Sequence, residues 1–428
     1  MAQTFKDFFK NKDIRKKIIY TLAMLFVFKL GSTIPVPGID ATEITQAINN
    51  NSILGILNML GGGALEQMSI LALGVNPYIT ASIVIQLLSM DVIPALTEMT
   101  KSGQNGKKQL DKITRYLTVV LAYIQAISIV MMFDKSYNIL ESSDFGTYLY
   151  VSTIFTAGTM FLLWIGDRIT TKGIGNGISI LIFAGIVARM PYTFSSVWNI
   201  LVDTSSNGAM MSGLISFGLY LVMYIAIIIL VVFMQLATRK IPILYSNSSN
   251  TRVNNDKTYL PLKINSASVI PVIFAQAIIT APQIVVSFVS PDNYAKVQSV
   301  LDLTAPFGLT LYAVLIVLFT FFYTNLQINP EKMAENLTKS GAYIPGIRPG
   351  KETESYLSKV LNRITVLGAI FLTVVSVLPY LLAMNTNISS SAALGGTGII
   401  IVVGVAMETL NQLKGQLTQK SYSSFIPR

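Results

Sequence analysis

The 428-residue chain contains no cysteine and no histidine, and only 12% of it is charged. Lacking thiols, it can form no disulfide and offer no thiolate nucleophile. Lacking imidazole, it has neither the commonest general base nor the usual zinc and haem ligands, so most enzyme classes are excluded. Soluble domains carry about 25% charge, roughly twice this chain's share, and 52% of its residues are hydrophobic. This is the composition of an all-α polytopic membrane protein. Ionisable groups are also scarce inside the apolar runs, where they would mark an ion or proton relay. Lys29 near the outer end of the first run can snorkel to the interface. Asp167 and Arg168 at a span end and Glu408 near the end of the last span make no coupled-ion site. The basic N-terminal segment is followed by no short apolar core with a small-residue cleavage site, so no removable signal peptide is expected.

Apolar windows of about 20 residues place spans near 18–34, 115–133, 148–166, 213–236, 266–289, 308–326, 360–383 and 397–412. Two shorter ones, 77–90 and 178–190, follow glycine-rich breaks, which makes ten spans with both termini on one side. All but Lys29, Lys135, Arg189 and Lys296 of the 31 basic residues fall in the termini or in alternate loops on that side, which is therefore cytoplasmic. The net charge of +10 is thus accounted for by topology rather than nucleic-acid binding. The loop at 35–70 has no lysine or arginine and faces outward. The spans divide into two groups of five across an outer loop expected from Pro191 to Gly213, giving halves 1–198 and 199–428. An odd number per half inverts the second, and the similar helix openings at 76–82 and 270–276 agree with an inverted repeat that places the working site at the midplane.

The stretch 53–88 is apolar but cannot be one span. Its first run, 53–60, covers only ~12 Å of the ~30 Å hydrocarbon layer. Gly61, Gly62 and Gly63 then unlock the backbone, and Gly74, Val75, Asn76 and Pro77 break it again before a second helix. Irregular backbone survives at membrane depth only inside protein or around a watery cavity, so this segment belongs in a pore or binding cavity. Two cytoplasmic loops are too long for connectors. The loop at 238–263 has apolar arms around a polar tip, the pattern of a hairpin. The loop at 327–358 is stiffened by Pro330, Pro345, Pro349, Gly341, Gly346 and Gly350, which fits a rigid docking surface. The glycines at 173–177 lack GxxxxGK[ST] and a preceding strand, so they form a tight turn rather than a phosphate loop. The amides of Gln86 and Asn265 can hydrogen-bond across a helix pair.

Four stretches carry a resemblance: GVNPYITASIVIQLL (74–88), GIGNGISILIFAGI (173–186), IPVIF (270–274) and NPEKMAENLTKSGAYIPGIRPG (329–350). In order and position they resemble the bacterial SecY family, pore subunits of the Sec protein translocon. The resemblance implies a ten-helix clamshell of two inverted halves, a plug helix, and a lateral gate between span two and spans seven and eight. It further implies a pore ring at Val75, Ile79, Ile178, Ile182, Ile273 and Ile401, and a plug within 53–65 that includes Ile53, Leu54, Leu57, Leu60, Gly61 and Leu65. Gln86 and Asn265 would be the gate's polar pair, and Arg239, Lys240 and Arg348 would dock partners. Those partners would be the small subunits SecE and SecG, the motor ATPase SecA, the ribosome, signal peptides, nascent chains and membrane lipids, with no cofactor. The setting would be the bacterial cytoplasmic membrane. Val75 is smaller than the isoleucine often found in the family, and Ala277 and Ala281 are small where relatives often carry larger or more polar residues.

An aliphatic ring suits this role, because it can close around a passing chain while ions face a dehydration barrier. The leading reading is a passive protein-conducting channel driven by a partner. An inverted-repeat secondary transporter shares the broken helices but needs midplane ionisable groups, and a membrane enzyme lacks a nucleophile and base.

Overall fold

A computed structural model of the chain describes residues 11–39, 44, 52–90, 92–137, 139–140, 142, 144–202, 207–245, 259–289, 291–385 and 395–423. The described residues form fourteen helices and four short strands. The N-terminal helices are α1 (Lys12–Gly31), α2 (Ser52–Leu60), α3 (Asn76–Leu88), α4 (Pro94–Lys101), α5 (Gly103–Tyr137), α6 (Phe145–Lys172) and α7 (Gly177–Leu201). After α8 (Asn207–Leu236) come strands β1 (Thr238–Pro242), β2 (Leu244–Tyr245) and β3 (Tyr259–Lys263). The rest are α9 (Ile270–Val289), α10 (Pro291–Leu301), α11 (Pro306–Gln327), α12 (Pro330–Lys339), β4 (Ala342–Tyr343), α13 (Lys351–Asn385) and α14 (Gly395–Ser423).

Local sequence sets the helix starts. Asn176 caps α7 by accepting from the backbone N–H groups of Ile178 and Ser179, and Asn329 caps α12 by accepting from that of Lys332, with Pro330 in the first turn. Pro77 opens α3 at a position where its missing N–H costs nothing. Six helices, α5, α6, α7, α8, α11 and α13, are long and apolar enough to cross a membrane. The apolar parts of α3 and α9 are shorter.

One expectation fails. The outer loop placed from Pro191 onward is instead helix, because α7 runs through Pro191 to Leu201. Proline removes one intrahelical hydrogen bond but need not end a helix: beyond Pro191, Phe194 and Trp198 pack on Tyr224 and Phe217 of α8, and α9 and α13 contain Pro282 and Pro379.

The N-terminal helices pack as α3 on α5, α5 on α6, α6 on α7 and α1 on α6, with the short α2 against α7. The C-terminal ones pack as α9 on α11, α11 on α13, α13 on α14 and α14 on α8. The two sets meet along two seams. In one, α7 packs on α8 and α14; in the other, α9 touches α3 and α5.

Strands β1 and β3 pair antiparallel with Thr238 opposite Lys263 and Pro242 opposite Tyr259, which is the hairpin expected from the alternating arms. The residues of its polar tip, 246–258, lie outside the described residues. Strand β2 pairs with β4, so the two long loops form one module. That module has its own core of Ile241, Leu262, Leu337, Ile344, Leu357 and Leu361.

Candidate functional site

The six expected ring positions come from four separate places in the chain. Val75 lies in the turn before α3 and Ile79 in that helix's first turn; Ile178 and Ile182 are on the opening turns of α7; Ile273 is on the first turn of α9; Ile401 is on α14. Glycine breaks precede two of these helices, α3 at Gly74 and α7 at 173–177. At Gly74, φ is +60° and an added Cβ would lie 3.3 Å from Gly61 Cα, so only glycine lets the chain turn against the end of α2 without strain. Val75, Ile182 and Ile401 are buried, with 3%, 7% and 5% exposure. Ile79, Ile178 and Ile273 are partly buried against the same apolar cluster.

Helix α2 touches this cluster with Met59 and Leu60. Gly61 is buried beside them. Leu54 and Leu65 face a second cluster, formed with Ala122, Ala126 and Phe133 of α5 and Phe155 of α6. The nine-residue α2 therefore bridges two apolar surfaces without being long enough to cross a membrane. The side chains of Ile53 and Leu57 lie outside the described residues.

On the strand-bearing module, Arg239 and Lys240 of β1 and Arg348 of the β4–α13 turn are exposed. The turn is rigid: the Arg348 carbonyl accepts from Thr353 Oγ1 at 2.8 Å, and Gly346 and Gly350 take positive φ. On α12 the Lys339 ammonium donates to Glu335 at 2.6 Å and holds that exposed carboxyl below its usual range.

The glycine-rich turn at 173–177 is packed rather than open. An added Cβ on Gly177 would sit 1.9 Å from the Gly166 carbonyl oxygen of α6. Its backbone donors are occupied: Gly177 N–H by Thr170 Oγ1, Ile174 N–H by Thr21 Oγ1, and those of Ile178 and Ser179 by Asn176. A phosphate would find few free N–H groups. Among the described residues no group of three or more carboxylates is placed to hold a metal.

The family model for SecY matches residues 69–410. A protein translocase subunit SecY from Bacillus licheniformis is 46% identical over 432 residues, covering 100% of both chains. The chain belongs to the SecY family. Among solved structures, one described as a protein conducting channel matches with a TM-score of 0.68 at 19% identity, covering 97% of this chain and 95% of that one. Canine Sec61 in a ribosome–channel complex from the endoplasmic reticulum matches with a TM-score of 0.65 at 18% identity, with the same coverage. At such identities the likeness concerns the fold. Family membership and the six long apolar helices make the chain a multi-pass membrane protein and a protein translocase subunit, not an enzyme.

Within this SecY-family fold, the expected gate amides do not meet. Gln86 is exposed and donates to Ser82 Oγ one turn back in α3 at 3.3 Å. Asn265 is 4% exposed, and neither its Oδ1 nor its Nδ2 has a hydrogen-bond partner among the described residues. Lys29 is the other difference. Its Nζ donates to the Gly62 carbonyl at 3.2 Å, so it holds the turn after α2 rather than only reaching for the interface. Sequence reasoning also missed an ion pair between Glu66 and Arg189 at the same turn. The available signal was Arg189, one of the four basic residues that the topology leaves off the cytoplasmic side.

Proposed function

We propose that this chain forms the pore of a protein-conducting channel in a bacterial cytoplasmic membrane, passing unfolded chains outward and releasing apolar segments sideways into lipid. The observation that carries this reading is the convergence of six aliphatic residues on one apolar cluster, with α2 inserted against it. In this reading Val75, Ile79, Ile178, Ile182, Ile273 and Ile401 close around the chain, and residues 53–65 are the plug. Helices α1, α3, α5, α6 and α7 would be spans one to five and α8, α9, α11, α13 and α14 spans six to ten, so both termini lie in the cytoplasm. The halves 1–198 and 199–428 would hinge where α7 packs on α8 and α14. They would part where α9 faces α3 and α5, with Gln86 and Asn265 coming together in another state of that gate.

The module built from β1–β4 and α12 would stand in the cytoplasm, presenting Arg239, Lys240 and Arg348 to SecA or to the ribosome, the partner seen with the canine Sec61 channel. SecE and SecG would complete the membrane complex. The test is deletion of residues 53–65. The resting channel should leak ions while partner-driven export continues, whereas a tight channel after deletion would remove the plug assignment.

A further inference from the structure

The turn that follows α2 is held by polar contacts as well as apolar ones. Gly62 has φ +71°, and an added Cβ there would lie 3.2 Å from Gly185 Cα on α7 and 3.3 Å from the Phe28 ring on α1. Reciprocally, a Cβ on Gly185 would meet the Leu60 carbonyl at 2.8 Å. Two glycines thus bring the backbone of the turn against α7, and this close seat places charged groups around it. The Arg189 guanidinium, one turn further along α7, pairs with Glu66. Both side chains are largely buried, with 12% and 16% exposure. Asn58, the fully buried asparagine of α2, binds the same carboxylate: its Nδ2 donates to Glu66 Oε2 at 3.2 Å, and its Oδ1 accepts from the Glu66 backbone N–H at 3.0 Å. Arg189 also lies over the Tyr192 ring at 4.9 Å, a second contact on the guanidinium. Lys29 of α1 donates to the Gly62 carbonyl of the same turn.

We propose that the Glu66–Arg189 pair, oriented by Asn58, is a latch that positions the closed plug and sets how strong a signal must be to open the channel. This rests on the reading of residues 53–65 as the plug. Displacing the plug carries Glu66 away from Arg189, so opening must break a pair that water screens poorly. Apolar contacts alone resist displacement in any direction, whereas the latch resists one motion, separation of the turn from α7. Arg189 and Glu66 are therefore positioning residues that act on the plug rather than on the passing chain.

The test is a double-mutant cycle in the reconstituted complete translocase, with Glu66→Gln, Arg189→Gln, the Gln/Gln double, Arg189→Lys, and the 53–65 deletion as reference. Resting ion conductance and export of a signal-defective reporter are read for each, at matched abundance. Each single glutamine variant should raise both by about tenfold, and the double should rise no further, because the second change has no pair left to break. Arg189→Lys should stay within about threefold of the parent, since it keeps the charge. Multiplying effects in the double, or an Arg189→Lys as leaky as Arg189→Gln, would overturn the latch and leave packing at α7 as the cause. Tight single variants beside a leaky deletion would also overturn it while leaving the plug in place. A tight deletion would instead remove the plug reading, and the latch with it.

Discussion

Replacing Ile401 by asparagine puts an amide into the aliphatic ring without adding heavy atoms to the side chain. Ile401 is 5% exposed among aliphatic side chains, so the new amide in the closed state would find no side-chain partner in that cluster. A buried polar group without a partner costs about 1–3 kcal/mol. Once the plug is displaced and the constriction wets, water satisfies the amide and the cost disappears. The closed state is therefore destabilised relative to the open one by that amount, which raises the open-to-closed ratio about 5- to 150-fold. Export of a signal-defective reporter and single-channel conductance should both rise. The control is Ile370→Asn on α13, a side chain 56% exposed on the outside of the bundle. There the amide meets lipid in every state, so insertion or abundance should fall without a change in gating. A well-expressed Ile401→Asn that alters neither signal stringency nor conductance would refute the reasoning.

Two further outcomes test other parts of the structure. Arg348→Glu, at an exposed position on a rigid turn, should impair partner-driven export at near-normal abundance, since folding gains little from that charge; a co-sedimentation assay with the motor ATPase and with ribosomes would show which partner is lost. Gly177→Ala should destabilise the protein by about 1–3 kcal/mol or more, because the new methyl meets a backbone carbonyl at 1.9 Å that cannot rotate away. Gly218→Ala on α8, with nothing within 4 Å, should be neutral or slightly stabilising in the same thermal-unfolding assay.

How much of this was readable beforehand depends on the kind of signal. The interruption at 61–77 was legible because glycine and proline act locally and because eight residues cannot span a bilayer. The β1–β3 hairpin was legible from alternating arms, and the helix starts at Asn76 and Gly177 from their flanking residues. The pairing of β2 with β4 was not, since strands of two residues carry no periodicity and their partner lies in another loop. Pro191 misled because the outer loop was placed to start there, whereas α7 continues and packs on α8 through Phe194 and Trp198. Gln86 and Asn265 were paired by residue type and depth, but Asn265 lies in the bend between β3 and α9 rather than on a helix, and Gln86 turns to Ser82 within α3. Lys29 and Arg189 were separately visible as isolated charges, while Glu66 drew no notice. Their meeting depends on Gly62 and Gly185 letting two backbones touch, a long-range fact that no local pattern records.

The central claim is that a translocating chain passes through the ring. Because the chain has no cysteine, single cysteines can be placed at Ile182, Ile401 and, as an outside control, Ile370, then tested for crosslinking to a translocation-arrested substrate that carries its own cysteine. Crosslinks at Ile182 and Ile401, with none at Ile370, are the predicted result; an arrested chain that crosslinks at Ile370 and at neither ring position would contradict it.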